Sequence, residues 1–203
     1  MAEIDDSYLE PSVNSESLFK DKGSKHFGYV FSVYSKQEID DKLLELKKKH
    51  HSARHICYAW SLGIESIETK FTDDGEPHNS SGPPIMGQIQ SFKLHNTLIA
   101  VVRYFGGTKL GVGGLINAYK TAAKEAILAG STKELYIKKE LLLSFPYELM
   151  SEVMRMTKQD GISVLEQDFR ESCQLKISVR LKFHSSVLNF LSKLHKLEVT
   201  ELS

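Results

Sequence analysis

The stretch VVRYFGGTKLGVGGLINAYKTAAKEAI, residues 101–127, constrains the fold more than any other. Five of the chain's thirteen glycines fall within positions 106–114, between an apolar run and an alanine-rich one. The run TLIAVVRYF, residues 97–105, reads as a strand covered on both faces, and a helix is expected from about Gly114 to Ala129. Strand, glycine turn and helix N-terminus together present backbone N–H groups to an anion. Two nucleotide fingerprints nevertheless fail. Gly111 is followed by Val112, where a P-loop needs lysine, and Ile116 stands at the third glycine of the dinucleotide pattern. Leu115, Ala118, Ala122 and Ala126 form a small-residue stripe suited to close packing on a sheet. Glycines at the start of such a helix serve the same close approach, or take φ > 0. Spacing favours packing and turning, and leaves ligand contact as the alternative.

Composition narrows the classes of function. Hydrophobic residues make up 41% and charged residues 26% of the chain, ordinary for a globular protein. The formal net charge is zero, whereas a chain dominated by non-specific nucleic-acid binding is basic, so any such binding must come from a local patch. No apolar run approaches the roughly 20 residues of a bilayer span. The acidic start MAEIDDSYLEPSVNSES lacks the apolar core of a signal peptide. Cys57 and Cys173 lie far apart in no metal-like spacing, and the expected setting is a reducing cytoplasm.

Along the chain, the first seventeen residues read as polar and loosely ordered at the start. SLFKDKGSKHFGYVFSVYS reads as a hairpin turning at Asp21-Lys22-Gly23, with Phe27, Tyr29, Phe31 and Val33 on one face. Ser35 is an N-cap for KQEIDDKLLELKKKHH, with Glu38 as its capping-box partner. RHICYAWSLGI is a strand, FTDDGEPHNSSGPP a loop, and a short helix is expected over about Ile85 to Phe92. A strand near Leu135 closes this part. From about residue 138 the order becomes strand, helix, two strands joined at Arg170-Glu171-Ser172, helix, strand, the ferredoxin-like βαββαβ unit. The reading is therefore α+β, with domains at 1–136 and 137–203.

Three features carry candidate chemistry. In DDGEP, Asp73, Asp74 and Glu76 crowd within four residues, either as a Mg²⁺ or acid/base cluster or as partners of arginine. Arg103 favours pairing, because an arginine on an apolar strand is costly unless a carboxylate meets it; Arg54 is a second candidate partner. The segment LKKKHHSARH gathers Lys47, Lys48, Lys49, His50, His51, Arg54 and His55, suiting either a helix C-terminus or phosphates. Its histidines lack the partner spacing of a zinc site, and no nucleophile signature occurs. The candidate anion or nucleic-acid surface comprises Gly106, Gly107, Gly111, Gly113 and Gly114, with Arg54, His55, Lys109, Lys120 and Lys124.

Taken together, ARHICYAW, FTDDGEP, GPPIMGQI and TLIAVVRYFGGTKLGVGGLINAY closely resemble the IMPACT/YigZ family across about residues 20–130. The later βαββαβ segment resembles the small C-terminal domain of its bacterial members. The resemblance implies an N-terminal domain like domain IV of elongation factor G and the second domain of a small-subunit ribosomal protein. It implies a C-terminal domain like domain V of that factor. Eukaryotic relatives restrain a translation-initiation kinase pathway through a further N-terminal domain, which this chain is expected to lack. After DDGEP the chain departs from the bacterial pattern: His78 and Asn79 replace small residues, and Pro83 stands where lysine is common. The expected function is non-enzymatic binding of RNA or the ribosome, with no membrane association and a protein partner as a third candidate. The alternative is an enzyme or sensor that binds a phosphorylated small molecule with Mg²⁺ at the glycine and DDGEP loops.

Overall fold

A computed structural model describes residues 5–170 and 172–202. The chain divides into two compact units, residues 8–135 and residues 136–203, the latter taking in the described residues before Tyr8. Both units mix helices with antiparallel sheet.

In the first unit a five-stranded sheet is built from β2 (Ser15–Asp21), β3 (Ser24–Ser32), β4 (His55–Leu62), β5 (Glu68–Thr72) and β6 (Thr97–Tyr104). Its order is β2-β3-β6-β4-β5 and every pairing is antiparallel. Central β6 is buried on both faces, as its apolar run predicts. Leu98, Ala100 and Val102 face helix α1 (Lys36–Lys49), packing with Tyr29, Phe31 and Trp60. Ile99 and Val101 face α2 (Gly82–Ser91) and α3 (Gly111–Ala129), packing with Ile85, Ile89 and Leu115. Ser35 caps α1 by accepting the Glu38 N–H at 3.1 Å, while the Glu38 carboxylate reaches back to the N–H of Tyr34 rather than of Ser35.

The alanine stripe is a packing device. A Cβ built on Gly28 of β3 would lie 2.5 Å from the Ala122 carbonyl oxygen, so α3 lies directly on the strand. Hydroxyls of Ser15 and Ser17 donate to the Ala126 and Ala122 carbonyls, at 2.6 and 3.1 Å.

Three expectations need correction. The polar start is ordered from Ser7: β1 (Ser7–Pro11) pairs with β7 (Thr132–Tyr136). Glu10 is buried there, accepting from Asn96 Nδ2 at 2.5 Å and from the Tyr34 hydroxyl at 2.8 Å. The loop reading of FTDDGEP missed that Phe71 and Thr72 end β5, an exposed edge strand without inward alternation. Helix α3 starts three residues before Gly114, so Gly111 and Gly113 stand inside its first turn.

The second unit contains β8 (Lys138–Phe145), a 3₁₀ turn at Tyr147–Leu149, α4 (Met150–Met156), β9 (Ile162–Asp168), β10 (Cys173–Arg180), α5 (Leu181–Leu191) and β11 (Glu198–Leu202). The sheet order β11-β8-β10-β9 is that of a ferredoxin-like unit. Leu141, Leu143, Leu175, Ile177 and Val179 fill its core against Val153 and Leu191. The segment LKF, directly after β10, opens α5. Asp6 supports this unit by accepting from Arg180 Nη2 at 2.6 Å and the Lys182 N–H at 3.0 Å. The expected turn residue Glu171 lies outside the described residues.

Glycine substitutions separate two roles within the loop. A Cβ on Gly106 would stand 1.9 Å from the Gly23 carbonyl carbon, against backbone that has no side chain to move. Gly106→Ala should therefore lower unfolding free energy by roughly 2–4 kcal/mol. A Cβ on Gly113 meets nothing within 4 Å, so Gly113→Ala should leave stability unchanged or raise it by up to ~1 kcal/mol. Urea unfolding of the two variants checks the contrast.

Candidate functional site

The chain itself approaches the glycine loop closely. Gly106 lies against the β2–β3 turn at Gly23, and its N–H donates to Ser24 Oγ at 3.1 Å. Gly107 and Gly111 have φ of +91° and +73°, the left-handed region that glycine tolerates. A Cβ built on Gly114 would lie 3.0 Å from Leu110 Cβ. Gly113 has no such reason: its φ is ordinary and the space beside it is open. Helix α3 begins with no side-chain cap and no acidic residue in its first turn. Its first exposed amides therefore keep the partial positive charge of a helix N-terminus.

The DDGEP carboxylates diverge. Glu76 turns inward, accepting from Arg103 Nη1 at 2.7 Å and the Tyr119 hydroxyl at 2.8 Å, all three side chains buried. Asp73 Oδ1 accepts the N–H groups of Ser81 and Gly82 and the Ser81 hydroxyl, and so caps α2 from a distance. Burial pushes the Asp73 carboxyl upward, but the donors from Gly82, Ser81 and Asn79 outweigh it and hold it below the usual carboxylate range. Asp74 accepts the Ile56 N–H at 2.6 Å, and its carbonyl meets His55 Nδ1 at 2.7 Å. Arg103 is thus the arginine partner and Glu76 its acid. Arg54 is exposed and takes part in no ion pair with DDGEP, because Asp74 is already turned to the β4 backbone. Among the described residues, no group of three or more His, Cys, Asp or Glu is placed to hold a metal ion.

Beneath this loop lie groups that the sequence reading missed. His26 is fully buried on the β3 face opposite Phe27, and neither ring nitrogen has a protein partner. The sequence pattern hides it, because the aromatic alternation marks the Phe27 face of β3 as the buried one. Burial, reinforced by the Arg103 charge, lowers its pKa to about 4. Its ring stands edge-on to Tyr119, 5.4 Å between centroids. Burial pushes the Cys57 thiol up to about 12 and raises the Tyr119 phenol. Both are therefore neutral near pH 7.

The exposed cations divide. His50 is buried between the Tyr29 and Tyr104 hydroxyls, and Lys49 pairs with Glu16, so part of LKKKHHSARH is structural. His55 sits opposite Arg103 at the sheet end from which the glycine loop departs. Lys109 is exposed in that loop. Lys120 and Lys124 line an open groove of about 630 Å³ between α2 and α3, with Pro84, Gly87, Phe92 and Ile116. Neither Arg54 nor His55 lines it. No helix among the described residues is long and apolar enough to cross a membrane.

Residues 22–127 match the family model described as the Impact N-terminal domain. An IMPACT family member of Haemophilus influenzae is 30% identical over 180 residues, covering 86% of each chain. The crystal structure of a hypothetical protein superposes with a TM-score of 0.69 at 24% identity, covering 98% of this chain and 99% of that one, and shows the same fold. A fainter likeness, TM-score 0.39 at 25% identity over 59% of this chain and 48% of the other, is to Yih1, a two-domain translational regulator.

The buried cluster yields two stability tests. Glu76→Ala strands the Arg103 guanidinium in the interior and should cost about 3–5 kcal/mol by chemical denaturation. His26 titrates lower folded than unfolded, so the unfolded chain binds the proton more readily between those values. Its contribution is complete above pH ~6.5 and disappears as pH falls toward 4, on the order of 3 kcal/mol in all. The Asp73 contribution is lost only at lower pH, within and below the ordinary carboxylate range. Denaturation midpoints at pH 7 and 4.5 should thus fall further for the wild type than for His26→Phe; parallel falls would reject the assignment.

Proposed function

The chain belongs to the IMPACT family, and from that premise we propose that it is a non-enzymatic, translation-associated protein that binds RNA or the ribosome. The observation that carries this reading is the course of α3. The helix starts uncapped and exposed behind Lys109, then presents Lys120 and Lys124 one turn apart on its outer side. Open amides followed by ammonium groups suit a phosphate backbone, which takes hydrogen bonds from both. The local character of the patch agrees with the neutral net charge, which excludes a dominant long-range field. The setting proposed is the cytoplasm, where two unbridged, buried thiols are at home.

The Mg²⁺-dependent alternative draws less support. Glu76 is committed to Arg103 and Tyr119, Asp73 to the start of α2, and Asp74 to the β4 backbone. Recruiting them to one cation would undo all three commitments.

RNA titration and ribosome pelleting at two salt concentrations test the proposal. The triple variant Lys109→Ala, Lys120→Ala, Lys124→Ala should bind more weakly. Its log–log salt dependence should be flatter by roughly 0.7 for each single-strand phosphate that the variant no longer neutralises. Wild-type protein that binds neither RNA nor ribosomes in a salt-sensitive way would refute it.

A further inference from the structure

Two glycines within α2 and α3 stand without a structural reason, and one of them, Gly87, lines the groove between the helices. Gly87 stands in the middle of α2 and Gly113 in the first turn of α3. Each has an ordinary φ, and a Cβ built on either meets nothing within 4 Å. Glycine at an interior helical position such as Gly87 costs about 1 kcal/mol relative to alanine. That cost brings no turn and no packing. What it leaves is bare backbone facing outward.

Helical spacing joins these positions to the rest of the groove. Gly113, Ile116, Lys120 and Lys124 follow one another at intervals of three and four residues along α3, forming one stripe. Pro84, Gly87 and Ser91 form the facing stripe on α2, and Phe92 closes its end. Ile116 is 39% exposed, a large apolar side chain left on the surface. The lining holds two ammonium groups and no carboxylate, which suits an anionic occupant.

We propose that this groove seats single-stranded RNA. The ribose-phosphate backbone follows Lys120 and Lys124, and bases lie on the apolar floor of Phe92, Pro84 and Ile116. The two lysines are one turn, about 6 Å, apart, comparable to the step between neighbouring phosphates of an extended strand. Missing side chains at Gly87 and Gly113 let that strand approach the helix backbone, as glycines do where KH domains clamp nucleotides. Apolar faces on which bases rest, beside a cationic track, are the components of sequence-tolerant single-strand binding. A duplex keeps its base faces stacked inside and cannot use this floor. This inference rests on the RNA reading above and narrows it to the strand state and the seat.

The test uses the full chain, fluorescent oligouridylate and oligoadenylate octamers, and a fully paired RNA hairpin. The octamers should bind more tightly than the hairpin. Gly87→Leu fills the groove at a position where leucine favours the helix, so its melting temperature should equal or exceed that of the wild type. It should weaken octamer binding about tenfold, the worth of roughly one stacked base. Unchanged octamer affinity in folded Gly87→Leu overturns the groove; if Lys109→Ala still weakens binding, RNA binding itself survives. Hairpin preference overturns the single-strand assignment. Octamers displaced equally well by polyglutamate overturn the RNA assignment in favour of an acidic protein partner. If neither RNA binds, this inference and the RNA-binding arm of the functional reading fall together.

Discussion

The buried contact of Arg103 with Glu76 organises the first unit. Arg103 continues an apolar strand with a guanidinium that the interior accepts only against a carboxylate. Glu76 supplies it from a loop well before β6 in sequence, and Tyr119 adds a hydroxyl from α3. One carboxylate oxygen therefore ties the central strand, the DDGEP loop and the glycine-led helix together. With Glu76 held inward, Asp73 is placed to order the start of α2 and Asp74 to hold the β4 backbone. The loop resembles a catalytic cluster in sequence and is a three-way tether in space.

That tether explains why the outer surface holds the open features. Below the glycine loop the polar groups are neutral or paired, and close packing leaves no room for a ligand at Gly106 or Gly28. Ligand-sized space lies along α2 and α3, beyond the tether, where α3 turns its lysines and Ile116 outward. The packed framework and the open groove are thus two sides of one helix.

Much of this was legible in the sequence because it obeyed a period. The alternation of Phe27, Tyr29 and Phe31 and the doubly apolar β6 read directly as elements. The partner of Arg103 was legible as a class of residue, since an arginine on such a strand demands an acid. Glu76 was not distinguishable from its neighbours, because its selection depends on where Asp73 and Asp74 find backbone donors. The pairing of β1 with β7 was hidden by polar composition: Glu10 is buried through Asn96 and Tyr34, contacts that leave no hydrophobic pattern. His26 is masked by its own strand, whose aromatic alternation marks the opposite face of β3 as the buried one. Gly87 carries no signal in the sequence, as its meaning rests on the empty space beside it in the folded chain.

The seating of α3 has a further consequence. Ser15 and Ser17 bond to its carbonyls, its alanines rest on β3, and Gly28 removes the last cushion between helix and sheet. These contacts oppose any sliding or tilting of the helix on the sheet. A surface this stiff acts as a template, and the entropy of fitting falls on the partner. Under the RNA proposal, selection would then depend on pliancy, favouring chains that bend at little cost over those locked in their own structure.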